Sequence, residues 1–379
     1  MTISVRTELS HRYSYDSRLD AVFKVTLVAE KRTQAKGFHH IIVIDTSKSM
    51  AGEKIELAKK GAQEYAKNIP AGNKLSVILF SSTVQTFPEA RMGEVLPQIK
   101  ATGTTVLYTA LQSAFEIAQK SKLPGWIVLL TDGEPTDVTQ PEQYSKLKTP
   151  SGFQMIEFGI GSDYNHSILK ALADGSGGTL HNITDAQKIT LPDVMQKSAV
   201  NEVAARSVIV DFGTQNVTVL NYKGPPVTIN AVETTVKVWG KVPVPAGFKG
   251  RLLNVQVSYN DTVDSSKKTI NSPVEVKPAD NDEEFESGID NNLVSEFQYY
   301  QGLEEYYNHL AKGELKEATR TMNQLSSSAE QTRRTDLIEA TKRLYEKQEE
   351  TLRLGGTSEG TNKLLKEVAS ETTKRTRGK

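Results

Sequence analysis

Two textures of hydrophobic and polar positions divide this chain. Residues 3–9 (ISVRTEL) and 21–31 (AVFKVTLVAEK) alternate apolar with polar, the period of a strand with one wet face. From about 39 to 200 the pattern changes to short, continuous apolar runs: IIVID, LSVILFSS (75–82), WIVLLTDG (126–133) and FQMIEFGIG (153–161). Amphipathic helical stretches such as EKIELAKKGAQEYAKNI and LYTALQSAFEIAQK separate them. Continuous runs predict strands covered on both faces, hence a mainly parallel sheet between helices. Ligands of such sheets sit beyond the carboxyl ends of the strands, where Asp45 and Asp132 fall.

Alternation returns over residues 203–277, in RSVIVDF, TTVKVWGKV and RLLNVQVSY, which predicts a small antiparallel β-sandwich. A two-stranded unit is marginal by itself. The strands within residues 1–36 are therefore expected to complete the sandwich, with residues 37–202 inserted in it as an α/β Rossmann-like domain. Residues 278–290 (PADNDEEFESGID) read as an acidic linker, and residues 291–379 as a C-terminal helical domain. There Leu293, Phe297, Tyr300, Leu303, Tyr307 and Leu310 trace one apolar stripe. KGEL makes a turn, helices are expected over 314–327 and 330–354, and GGTSEGT (355–361) interrupts them. A short last helix and a frayed, basic end, TTKRTRGK, follow.

Composition narrows the function. Lys plus Arg equals Asp plus Glu at 46 each, so no global field draws the chain to nucleic acid or an anionic membrane. The absence of cysteine excludes disulfides, thiolate zinc sites and a cysteine nucleophile. No run approaches the roughly 20 apolar residues of a membrane span, and MTISVRTELSHRYSYD lacks the layout of a signal peptide. The expectation is a soluble, cytoplasmic protein.

The candidate chemistry lies in DTSKS. Asp45, Ser47 and Ser49 offer oxygen ligands alone, the donors of a hard divalent ion such as magnesium. Taken alone, the motif also reads as a strand-end turn capped by Ser and Asp. Two further segments change the balance. TGTTVLYTAL (102–111) places Thr105 just before a helix, and WIVLLTDGEPTD ends a strand at Asp132.

With these three segments in order, the sequence resembles the von Willebrand factor A (vWA) family. The resemblance implies that Asp45, Ser47, Ser49, Thr105 and Asp132 surround Mg2+ in a metal-ion-dependent adhesion site (MIDAS), some of them through water. Thr105 is preferred to Thr104 for its spacing to LYTAL. It also implies an open metal position that a partner's Asp or Glu fills, so that protein–protein binding, rather than an enzymatic reaction, follows.

Competing chemistries fit less well. A haloacid dehalogenase needs a second carboxylate two residues after the first, where Ser47 stands. DGSGGT (174–179) follows a helix and reads as its C-cap rather than a phosphate loop. His39, His40, His166 and His181 read as surface or satisfied core residues.

The helical end is rich in hydroxyls. Thr357, Ser358 and Thr361 sit in the interruption, and Thr372, Thr373 and Thr376 in the basic end; all six are candidates for phosphorylation by a Ser/Thr kinase. A vWA domain inserted in a sandwich and followed by helices is similar to the Sec23/Sec24 trunk. A cysteine-free version with a threonine-rich helical end is similar to crenarchaeal archaellum-regulatory vWA proteins that partner a forkhead-associated (FHA) domain protein. That resemblance implies a phosphorylation-dependent regulator repressing motility-gene expression. The alternative is an accessory subunit of a MoxR-type or chelatase AAA+ ATPase.

Overall fold

The computed structural model describes residues 2–377 apart from 31–32, 35–36, 162, 184–190, 200–201, 265 and 354–356. Gly355 and Gly356 of the glycine-marked interruption lie outside the described residues, as do Gly378 and Lys379 at the end.

The continuous apolar runs form one six-stranded sheet in the order Thr179–Ile183, Phe153–Ile160, Gly125–Thr131, His39–Asp45, Lys74–Phe80, Val84–Phe87. The first five strands are parallel and the last joins antiparallel at the edge. Every residue of His39–Asp45, Gly125–Thr131 and Phe153–Ile160 is buried, because helices cover both faces. The period of two assigns the faces. Ile42 and Ile44 pack with Ile55, Ala58 and Tyr65 of helix Glu53–Lys67. Ile41 and Val43 pack with Leu107 and Leu111 of helix Leu107–Lys120, on the side that also receives the C-terminal helices.

The alternating segments form two antiparallel sheets. One runs Ile3–Leu9, Leu19–Ala29, Thr235–Val244, Thr218–Val219, with Leu19 to Val28 paired to Val244 to Thr235 in continuous register. The other begins Val227–Val232, Ala205–Asp211, Gly250–Asp261, Lys267–Pro278. Phe23, Val25, Val208, Val210, Val238 and Val255 contribute to one apolar cluster shared by both sheets.

Within the stretch read as an acidic linker, Asp282–Ser287 forms a short helix whose N-cap, Asn281, accepts the Glu284 amide at 2.9 Å. Four longer helices follow: Asn291–Ala311, Leu315–Thr332, Thr335–Arg353 and Ser358–Arg375. All six residues of the predicted apolar stripe on the first of these are buried. Tyr300 and Phe297 pack against buried Trp239 at ring-centroid distances of 5.3 and 6.5 Å.

The chain end departs from expectation. As far as Arg377 it does not fray: helix Ser358–Arg375 lies along strand Thr179–Ile183, and Thr372, Thr373, Thr376 and Arg377 are all buried. Thr373 Oγ1 accepts the Leu180 amide at 3.2 Å, and Ser370 Oγ donates to the Leu180 carbonyl at 3.0 Å. Arg377 donates to Asp174 at 2.6 Å and to the Gly178 carbonyl at 2.8 Å, while Asn221 donates to the Thr376 carbonyl at 2.6 Å. A basic, hydroxyl-rich end looks solvated by composition. Here hydrogen bonds satisfy its polar groups, which is what makes their burial affordable.

Candidate functional site

The site lies where strands His39–Asp45 and Gly125–Thr131 end. Past Asp45, Thr46 bonds back to the Phe80 carbonyl by its amide (2.7 Å) and hydroxyl (2.9 Å), which turns the chain over the sheet edge. Buried Met50 anchors the loop, and Gly52, at φ +85°, turns it into helix Glu53–Lys67 with a backbone that a β-carbon would strain. Asp45 is fixed from both sides: Oδ1 accepts the Ser47 amide at 2.8 Å, and Oδ2 accepts Thr131 Oγ1 at 2.6 Å.

From Ser47 the hydroxyls form a chain. Ser47 Oγ and Ser49 Oγ are 2.9 Å apart, and Ser49 Oγ donates to Asp132 Oδ1 at 2.8 Å. Two bonds with Thr136 hold the Thr105 backbone: its amide donates to Thr136 Oγ1 (3.1 Å) and its carbonyl accepts the Thr136 amide (2.8 Å). Gly133 keeps the centre clear. A β-carbon there would stand 3.2 Å from Thr105 Oγ1 and 3.5 Å from Asp45 Oδ2. Thr104, by contrast, is exposed and bonds Ser82 at 3.1 Å. Asp45, Ser47, Ser49, Thr105 and Asp132 thus come to one rim of the sheet.

Asp45 and Asp132 are fully buried, Ser47 and Thr105 nearly so, and Ser49 is exposed. Burial pushes the Asp45 carboxyl up to about 6, against the hydrogen bonds from Ser47 and Thr131 that favour its charged form; Asp132 nearby adds to the rise. A carboxylate held this way is short of positive charge. Two buried carboxylates, three hydroxyls and no imidazole are the donors a hard divalent cation takes.

Lys54, in the first turn of helix Glu53–Lys67, supplies one positive charge. Its Nζ lies 2.5 Å from Asp132 Oδ2 and 3.2 Å from Asp163 Oδ2. Beside it opens a cavity of about 350 Å3, whose wall includes Glu134, Asp163, His166 and, from the C-terminal helix, Lys366. Sequence reasoning missed Lys54, Thr131 and Thr136. Lys54 lay within a quoted helical stretch, and only its place in the first turn, level with the DTSKS loop, signals a role.

The histidines have local partners. His39 bonds Ser76 (2.8 Å), His40 bonds Tyr65 (2.8 Å), His166 bonds Tyr307 (3.1 Å), and His181 stacks on Phe158. Gly177 ends helix His166–Ser176 in the left-handed region at φ +66°, the C-cap expected of DGSGGT. Among the phosphorylation candidates, Thr357 and Ser358 are exposed and Thr361 is half-buried, whereas Thr372, Thr373 and Thr376 are at most 2% exposed.

Residues 41–197 match the von Willebrand factor type A domain family, and residues 291–378 match the family described as Archaellum regulatory network B, C-terminal domain. The whole chain is similar to the crystal structure of the ArnB paralog VWA2 from Sulfolobus acidocaldarius. Identity is 30% and the TM-score 0.82, over 100% of this chain and 99% of that one. The von Willebrand factor type A protein from Catenulispora acidiphila shares the fold at 16% identity and a TM-score of 0.71, over 90% of this chain and 89% of that one. Inter-alpha-trypsin inhibitor heavy chain H1 of Sus scrofa is 27% identical over 165 residues, which is 38% of this chain and only 18% of that protein.

Proposed function

We propose that this chain, which belongs to the ArnB-type archaellum-regulatory von Willebrand A family, is a metal-assisted protein-interaction regulator. In this reading Asp45, Ser47, Ser49, Thr105 and Asp132 hold Mg2+, directly or through water. The bound ion supplies an electrophilic position that a carboxylate from a protein partner completes. The observation that carries the reading is the convergence of all five side chains at one rim, with Asp45 short of positive charge and Ser49 exposed.

The C-terminal helices are read as the regulated part. A Ser/Thr kinase would act first on Thr357, Ser358 and Thr361, which are reachable. Thr372, Thr373 and Thr376 require helix Ser358–Arg375 to lift from strand Thr179–Ile183. The phosphorylated form would bind an FHA-domain protein and repress archaellum gene expression. The AAA+ accessory reading is not favoured, because the family match extends through the C-terminal helices. The apolar cluster shared by the two antiparallel sheets supports reading them as one sandwich, and the pairing of Leu19–Ala29 with Thr235–Val244, on either side of the vWA domain in the chain, supports its insertion there in the Sec23/Sec24 manner.

The test is partner binding by calorimetry, with an FHA-domain protein encoded in the same genome, in magnesium and in chelator. Wild type binds in magnesium and loses binding in chelator; Asp45→Ala fails in both while keeping its circular dichroism spectrum. Normal binding by Asp45→Ala in chelator would overturn the metal role.

A further inference from the structure

Lys54 deserves a function of its own, resting on the reading that the rim holds a divalent ion. The two oxygens of Asp132 face different neighbours. Oδ1 takes the Ser49 hydroxyl at 2.8 Å, on the side of the other donors, and Oδ2 takes the Lys54 ammonium at 2.5 Å. Lys54 therefore sits behind the site, not in it. Its side chain is about one-fifth exposed, and Asp163, 3.2 Å away, is about two-thirds exposed and correspondingly screened by water.

We infer that Lys54 is a built-in counter-cation that sets the charge balance of the rim, weakening its hold on metal so that one external carboxylate is accepted. Two buried carboxylates against one ammonium leave the rim one unit negative, and a divalent cation takes it to one unit positive. A partner carboxylate then brings it to neutrality. Without Lys54, the metal-loaded rim is already neutral, and an incoming carboxylate makes it negative within a low-dielectric setting. The same ammonium gives Asp132 a partner before any metal arrives, so that this fully buried carboxylate is never left bare.

The purely structural alternative is that Lys54 only fixes the Asp132 rotamer, and it predicts the opposite sign: removing Lys54 would loosen metal binding. Calorimetric titration with Mn2+ alone on wild type, Lys54→Met and Lys54→Arg decides between them. Acetate is then titrated into each Mn2+-loaded protein and followed by water-proton relaxation. Methionine keeps the apolar stem and arginine keeps the charge. We expect Lys54→Met to bind Mn2+ about tenfold tighter, as removing one nearby positive charge implies. It should take acetate several-fold more weakly, with Lys54→Arg close to wild type in both. Unchanged or weaker Mn2+ affinity in a folded Lys54→Met protein overturns the inference. Failure of wild type to bind Mn2+ would instead overturn the metal reading beneath it.

Discussion

Two charged clusters in this molecule use the same side chains to opposite ends. At the rim, Asp45 and Asp132 are fully buried; Lys54 pairs with Asp132, and among the described residues no cation forms an ion pair with Asp45. At the chain end, half-buried Asp174 bonds both Lys170, at 2.7 Å, and Arg377, at 2.6 Å; Lys170 also reaches Glu304 at 3.1 Å. Burial raises the Asp45 carboxyl to about 6. Burial pushes the Asp174 carboxyl the same way, yet Lys170 and Arg377 hold it below its usual range. The chain-end cluster is closed by charges covalently part of the protein and acts as a clasp between elements. The rim is left in deficit, and a deficit is what a ligand can fill. Whether buried charge serves cohesion or binding depends on where the counter-charge comes from.

The largest effect should come from opening the clasp. Arg377 is 1% exposed, and Arg377→Ala leaves Asp174 with one cation and the Gly178 carbonyl without its donor. We expect a loss of about 3 kcal/mol in chemical denaturation, with hydrogen-exchange protection lost first along helix Ser358–Arg375 and no change in metal affinity. Unaltered exchange in that helix would mean that the clasp does not hold it.

Next in size is a charge introduced where the clasp is buried rather than where the helix begins. Thr373→Glu places a carboxylate against the Leu180 amide in a site 1% exposed. It should cost about 2 kcal/mol in thermal denaturation. Ser358→Glu, exposed at the first helical position, should change stability by less than about 0.5 kcal/mol, in the stabilising direction, because acid is favoured at a helix N-terminus. Equal effects at the two positions would remove the distinction between reachable and occluded hydroxyls.

The last effect concerns acid and is read as a slope against pH rather than as a loss at one pH. Burial lowers His166, on the cavity wall beside the rim, to about 4, and Lys366 adds to the lowering. The folded state therefore binds fewer protons than the unfolded state between roughly pH 6.5 and 4. His166 accordingly makes stability fall as pH drops through that window. His166→Asn should flatten the slope there by up to about one proton in denaturation curves measured across pH. An unchanged slope would mean that His166 is not held neutral by its surroundings.

Much of the wound sheet could be read directly. IIVID, LSVILFSS, WIVLLTDG and FQMIEFGIG became strands within a few residues of their predicted ends, since burial on both faces leaves a run with no polar alternation. The edge strand Val84–Phe87 went unread, being four residues of mixed polarity, whereas a strand was expected after DGSGGT, where Thr179–Ile183 lies. At the rim, the preference for Thr105 over Thr104 rested on spacing, and the structure sets Thr105 beside Asp45 and Gly133 and turns Thr104 toward Ser82. Lys54 was not legible, because a lysine on an amphipathic helix looks like any solvated lysine until its neighbours are known.

By itself the sequence determined the strands, the helices with strong apolar stripes and the oxygen-rich loops at the strand ends, because each is set by near neighbours in the chain. Only the tertiary structure decided that Thr372, Thr373, Thr376 and Arg377 are buried, that Lys54 faces Asp132, and that Leu19–Ala29 pairs with Thr235–Val244. The physical reason is common to all three. Hydropathy records what a side chain would gain by leaving water, whereas the burial of a polar group turns on whether a partner about 200 residues away, as Asp174 is from Arg377, completes its hydrogen bonds.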